Sequence, residues 1–290
     1  ALAALAVSCT SESLPVGGGG GGGDVQQSRV AAQDAEAGDG LGASVALTAD
    51  RFVAGAPGDD QNGTDAGSAY VFLVQAGGAV QEAKLLAPDA AAGDGFGGAA
   101  AVDGDVAAVA ASLDVLAEDS AGSAAIFRRQ GTAWPAEIQL QDPTPEAGGR
   151  FGTAASLAGD AVVFGAGLDD VDGTVDAGSA LVFRFDGTTW STEARLAGGD
   201  VAAGDRLGAS VGLSGSVAVA GAPAHDAAAT DAGAAYVFRR TGTTWGQETK
   251  LVASDAASGD GFGVAVDVDG NVAAVGAPLQ DGAATDAGAV

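Results

Sequence analysis

Cysteine occurs once in the 290 residues, at Cys9, so no internal disulfide can form. Methionine is absent, histidine is limited to His225, and lysine to Lys84 and Lys250. Twelve Lys and Arg stand against 38 Asp and Glu, giving a formal charge of −26. A chain this poor in cations offers no basic patch to a phosphate backbone, which argues against a nucleic-acid partner. It also repels an anionic membrane surface. No stretch past the N-terminus approaches the ~18 consecutive apolar residues of a membrane helix. Aromatic residues make up 5% of the chain, and much of its 47% hydrophobic content is alanine. The core must therefore be built from small side chains and closely approaching backbones.

What is present is a repeated phrase. It reads Gly-Asp-Gly-Leu-Gly at 38–42, Gly-Asp-Gly-Phe-Gly at 93–97 and Gly-Gly-Arg-Phe-Gly at 148–152. Gly-Asp-Arg-Leu-Gly follows at 204–208 and Gly-Asp-Gly-Phe-Gly at 259–263, so the steps are 55, 55, 56 and 55 residues. A period this regular identifies an array of one supersecondary unit.

Each unit carries four strand signals. Short alternating segments at 43–47, 98–102, 153–157, 209–213 and 264–268 follow the phrase, and a tight turn follows each of them. Fuller apolar runs come next, at 52–56, 106–110, 161–166, 217–222 and 272–277. Bounded by Gly and Asp and rich in Val, they read as buried strands. A third segment carries an aromatic pattern, as in Tyr70-Val71-Phe72 and Tyr236-Val237-Phe238. The fourth alternates between polar and apolar residues, with Glu82, Glu137, Glu193 and Glu248 each ten residues past the preceding Phe. That alternation predicts an exposed outer strand. Four antiparallel strands per 55 residues predict an all-β fold, a β-propeller of four-stranded blades.

The Phe-Gly phrase, with Gly-Ala-Pro at 55–57, 221–223 and 276–278, resembles FG-GAP repeats, the blade units of integrin-α-like propellers and of many bacterial surface proteins. The resemblance covers about residues 29–290, and 204–238 is its fullest copy; Ala110-Ala111-Ser112 and Gly165-Ala166-Gly167 depart from it. Such rings usually carry six or seven blades. With five repeats visible, starting near 38, 93, 148, 204 and 259 and the last cut at Val290, the expectation is an incomplete ring from a longer chain.

Residues 1–9 resemble the remnant of a bacterial lipoprotein signal, with Cys9 as the lipidated residue; the alternative is a secretory signal with an incidental cysteine. Residues 10–28, which include seven consecutive glycines, read as a flexible tether. Both signal readings place the chain outside the cytoplasm, in the cell envelope or secreted, with the membrane reached only through a lipid anchor.

FG-GAP blades often hold Ca²⁺ between their first two strands, but here those turns are too short and too poor in carboxylates. A second acidic loop follows Gly-Ala-Pro. It contains Asp59, Asp60, Asn62 and Asp65 in the first copy and Asp169, Asp170, Asp172 and Asp176 in the third. These eight residues are the candidate Ca²⁺ ligands. The alternative is an Asx-turn loop whose carboxylates cap backbone amides. The recurring pairs Asp34/Asp39, Asp89/Asp94, Asp200/Asp205 and Asp255/Asp260 read as structural, because a catalytic pair would be distinctive rather than repeated.

Gly208-Ala209-Ser210-Val211-Gly212 imitates a hydrolase nucleophile elbow, but it lies in the opening strand, Ser44 stands at the same place in the first copy, and the lone histidine is His225. His225, in a variable loop, reads as exposed and incidental. The predicted function is therefore a non-enzymatic, extracellular propeller mediating adhesion or binding a protein or glycan ligand. The alternatives are the substrate-binding part of a larger secreted polysaccharide-active enzyme, or a structural envelope repeat.

Overall fold

The computed structural model describes residues 6–7, 29–115, 119–226, 228–281 and 284–290. Cys9 and the tether at 10–28 lie outside the described residues. Every regular element described is a strand. Strand β1 (Ala6–Val7) runs parallel to β2 (Arg29–Val30).

Four complete blades follow, each an antiparallel meander. Blade one comprises β3 (Val45–Leu47), β4 (Arg51–Ala56), β5 (Ser68–Gln75) and β6 (Gly78–Leu85). Blade two comprises β7 (Ala99–Asp103), β8 (Val106–Ala111), β9 (Ser123–Arg128) and β10 (Ala136–Leu140). In blade three these are β11 (Ala155–Ala158), β12 (Ala161–Ala166), β13 (Ser179–Phe185) and β14 (Trp190–Leu196). In blade four they are β15 (Ser210–Ser214), β16 (Val217–Ala222), β17 (Ala234–Thr241) and β18 (Thr244–Leu251). The fifth unit pairs β19 (Ala265–Asp269) with β20 (Val272–Gly276).

The burial gradient follows the sequence. The second strands of all four complete blades are buried at every residue, while the fourth strands are mostly half-buried or exposed. First strands of consecutive blades pack side by side, β3 on β7, β7 on β11, β11 on β15 and β15 on β19. They form the inner row of a propeller, and no strand pairing among the described residues joins the fifth unit back to the first. The core is divided among the seams between blades: one apolar cluster joins blades one and two, another two and three, a third three and four, and a fourth four and five.

The Phe/Leu-Gly phrase is the latch of each seam. At the first seam the amides of Gly93, Gly95 and Phe96 donate to the carbonyls of Thr64, Asp65 and Ala66 of the preceding blade, at 2.9, 3.0 and 2.9 Å. The same three-bond ladder recurs at Gly148, Arg150 and Phe151, at Gly204, Arg206 and Leu207, and at Gly259, Gly261 and Phe262. It demands left-handed backbone on both sides. Asp65, Ser120, Asp176 and Asp231 stand at φ of 51–53°, and Arg150 and Arg206 at 52° and 60° where other copies place glycine. The closest approaches across the seams fix glycines on the second strands of blades one, three and four. A Cβ at Gly55, Gly165 or Gly221 would lie 1.9 Å from the carbonyl oxygen of Gly97, Gly208 or Gly263 in the next blade. This is the Gly-Ala-Pro glycine position, and its restriction to glycine in blades one, three and four is steric; blade two holds Ala110 there.

The fourth strand carries a feature invisible in the alternation. Its pairing with the third strand slips by one residue in every complete blade, leaving Glu82, Glu137, Glu193 or Glu248 unpaired as a β-bulge. Bulges redirect side chains. Here Glu82 is turned onto Arg51 of its own blade and onto Arg129 and Trp134 of the next, at 2.7, 3.2 and 3.4 Å. Glu193 likewise meets Arg184 at 2.9 Å, and Arg240 and Trp245 of blade four at 2.5 and 2.8 Å.

Candidate functional site

Because the strands alternate in direction, two sets of segments gather on one face of the blades. They are the connectors entering each blade and the loops between second and third strands. Each connector meets its blade's loop at a polar hub, and the five hubs occupy the same repeat positions.

In blade one the hub is Asp34, Asp39, Asp59, Tyr70 and Lys84. Asp59 is 4% exposed and accepts from the Ser68 hydroxyl at 3.0 Å, the Tyr70 hydroxyl at 2.8 Å and the Gln61 amide at 3.0 Å. Lys84 bridges it to Asp34, with both contacts at 2.7 Å. Burial would raise the Asp59 carboxyl, but the Lys84 ammonium and these donors hold it below its ordinary value. Tyr70 is pushed up to about 12, chiefly by burial. Asp39 caps the Glu36 amide at 2.7 Å, and Asp94, Asp205 and Asp260 cap the equivalent amides of their blades. These recurring aspartates are turn-closing groups, as their regularity implies.

The hub residue corresponding to Asp59 is Asp114 in blade two, Asp169 in blade three, His225 in blade four and Gln280 in the fifth unit. Where it is Asp, a serine on the third strand donates to it: Ser68, Ser123 and Ser179. Where it is His or Gln, that serine becomes Ala234 or Ala289. A hydroxyl there would lose its acceptor, and the pair changes together.

His225 corrects the expectation of an exposed loop residue. It is 7% exposed and lies against the Tyr236 ring with centroids 5.9 Å apart. The reason is the repeat position itself, which buries whatever residue it holds between connector and third strand. Ser210 is likewise accounted for. Its hydroxyl donates to the Gly263 carbonyl across the seam at 2.7 Å, as Ser44 donates to Gly97. It is a seam residue and has no histidine partner.

The structure does not bring the candidate Ca²⁺ ligands together. In blade one Asp59 turns inward to Lys84 while Asp60 turns back to cap the Asp65 amide at 2.7 Å. In blade three Asp169 meets Ser179 and Arg195, and Asp170 caps the Asp176 amide at 2.8 Å. Asn62, Asp65 and Asp172 point outward as exposed residues, and Asp176 is half-buried. Among the described residues, no three His, Cys, Asp or Glu side chains are closed around a common point. The loops are built as capped Asx turns.

Blade three parts its connector and loop enough to leave a cleft of about 350 Å³, lined by Thr144, Glu146, Asp170, Asp172 and Arg195 among others. Burial first, and the neighbouring Asp169 and Asp170 charges with it, hold the Glu146 carboxyl above its ordinary value although it accepts the Asp170 amide. Burial also raises Asp169, against the Ser179 hydroxyl and the Arg195 guanidinium. Arg195 also pairs with Asp142 at 2.5 Å, so its charge is shared.

A latch repeated at every seam, inner strands in a row and loops gathered on one face define the class: a β-propeller repeat protein. The sequence profile of the FG-GAP repeat matches residues 25–72, 79–127, 190–238 and 245–290, more than half of the chain, and the chain belongs to that family. The matches starting at 79, 190 and 245 begin on a fourth strand, and those ending at 72, 127 and 238 end at the Phe of a third strand, so the sequence unit is offset from the blade. The unmatched stretch at 128–189 holds most of blade three, which nonetheless forms all four strands. A comparison with curated proteins found no match.

Proposed function

We propose that this chain is an extracellular or cell-surface, non-enzymatic propeller that binds a protein or glycan ligand on the connector-and-loop face. The observation that carries the reading is the cleft of blade three. It lies on that face, within the size range of ligand pockets, and in the blade that departs furthest from the family profile. A constant backbone frame with one divergent, polar concavity suits recognition. The acidic lining of Glu146, Asp170 and Asp172 favours a ligand presenting hydroxyl or cationic groups. Anchoring through a lipid on Cys9 is part of the same proposal, and mass spectrometry of the membrane-associated protein tests it.

The binding reading is tested by probing protein and glycan arrays with the full chain, with and without EDTA, and repeating every hit with Asp170→Asn and Asp172→Asn. Hits weakened by both variants support the reading. Hits indifferent to both, or no hit at all, count against it.

A further inference from the structure

We propose that Asn62, in the loop between β4 and β5, is a site of spontaneous covalent modification that converts its amide to a carboxylate and loosens the first seam. Asparagine occurs twice in the chain, in Asn62-Gly63 and in Asn271-Val272. Asn62 is exposed, and no hydrogen bond ties its side chain to another described residue. The backbone nitrogen that follows it is unshielded, because Gly63 carries no Cβ. That nitrogen attacks the Asn62 Cγ, a five-membered imide closes, and the side-chain nitrogen leaves as ammonia. One water then opens the imide at either carbonyl, giving aspartate or its β-linked isomer. Nothing is oxidised or reduced. The Gly63 amide donates to the Asp60 carbonyl at 3.1 Å, so the loop has to release that bond before the ring closes. At Asn271 the attacking nitrogen belongs to Val272, whose branched side chain shields it and whose strand β20 pairs it with Asp269.

The two products differ in what they do to the seam. Blade three already carries Asp172-Gly173, three residues past its hub aspartate, and its latch is complete, so the loop tolerates an aspartate there. The β-linked isomer instead lengthens the main chain by one carbon directly before Gly63. Gly63 has little room to drift, since a Cβ on it would lie 3.1 Å from the Ala92 nitrogen of the next connector. The three residues after it, Thr64, Asp65 and Ala66, are the latch acceptors of the first seam. The isomer therefore displaces the carbonyls that hold blade two.

The full chain is incubated at mildly alkaline pH and digested at intervals for mass spectrometry. The expected result is loss of the amide at Asn62, with two acid products of equal mass, while Asn271 stays intact. The rate should rise with pH, and Asn62→Gln should stop the conversion. In the fraction carrying the β-linked isomer, the Gly93, Gly95 and Phe96 amides should exchange with solvent at least about tenfold faster than in Asn62→Asp. An unconverted Asn62, a single product, or conversion of Asn271 at the same rate overturns the assignment. Equal exchange in the isomer and in Asn62→Asp overturns the effect on the latch. Asn62-Gly63-Thr64 also has the spacing of an N-linked sugar acceptor. A sugar on Asn62 in protein from its own source overturns the proposal as well.

Discussion

The seams between blades one and two and between blades three and four are each closed around a carboxylate, whereas the seam between blades two and three is closed around aromatic rings. At the first two, Glu82 and Glu193 sit on a bulge with side chains 6% and 10% exposed, held by arginine from both blades and by an indole N–H. At the middle seam the bulged Glu137 keeps only Arg128 of its own blade. The next-blade arginine has become Phe185, whose ring lies 4.4 Å below the Arg128 guanidinium, and the Trp190 N–H finds no partner. Phe164, where the other blades place Ala54, Val109, Ala220 and Val275, packs with Phe151 and Phe183 at centroid distances of 5.2 and 6.1 Å. That cluster lies over the alanines of blade two. The backbone latch is the same at all of these seams. Latch geometry thus fixes the propeller, and side-chain chemistry at each seam is exchangeable.

The contrast can be broken most severely at its aromatic side. Phe164→Ala removes the ring particular to the middle seam and should cost about 4 kcal/mol in chemical denaturation. Phe127→Ala, by comparison, removes a ring that recurs through the repeat.

At the ionic seams, Glu193→Ala leaves Arg184 and Arg240 facing each other and should cost about 3 kcal/mol, while the more exposed Glu137→Ala should cost less than about 1. Equal losses for the two would erase the distinction between the seams.

Acid titration sharpens it further. Burial would raise the Glu82 carboxyl, but the hydrogen bonds and charge of Arg51, with Trp134 and Arg129, hold it below its ordinary value of 4.5; Glu193 is lowered in the same way by Arg240, Trp245 and Arg184. A carboxylate lowered in the folded state stabilises fully above its unfolded value, and that contribution fades as pH falls through the folded one. The stability difference between wild type and Glu193→Gln should therefore be present at pH 7 and shrink below about pH 4.5. A difference that grows on acidification would contradict the assignment. The smallest effect is a graft. Phe185→Arg places the missing arginine beside Glu137 and should change stability by no more than about 1 kcal/mol, since ring burial is lost as an ion pair is gained.

The strand plan was legible because it lives in local pattern. The runs at 161–166 and 217–222 match β12 and β16 residue for residue, and first strands differ by one or two residues at their ends. The regular Glu positions were visible too. Their meaning was not, because a bulge is a matter of register between two strands and leaves no mark in either one alone. The hub was hidden for a related reason. His225 looks like loop composition until the 55- and 56-residue steps align it with Asp59, Asp114 and Asp169. The serine-to-alanine change at 234 was the available signal, and it becomes readable only once β17 is known to face the loop. The acidic loops show the converse limit. Composition counted their carboxylates, but whether a carboxylate turns outward or caps an amide five residues on is decided by backbone geometry.

The central claim, that a bulged glutamate clasps the following blade, is tested most directly by a double-mutant cycle in the full chain. Glu193→Gln and Arg240→Gln are measured singly and together by denaturant unfolding, beside the same cycle on Glu137 and Phe185→Gln. A coupling of about 1–3 kcal/mol for the first pair and none for the second is the predicted result. Additive losses at Glu193 and Arg240 would contradict it.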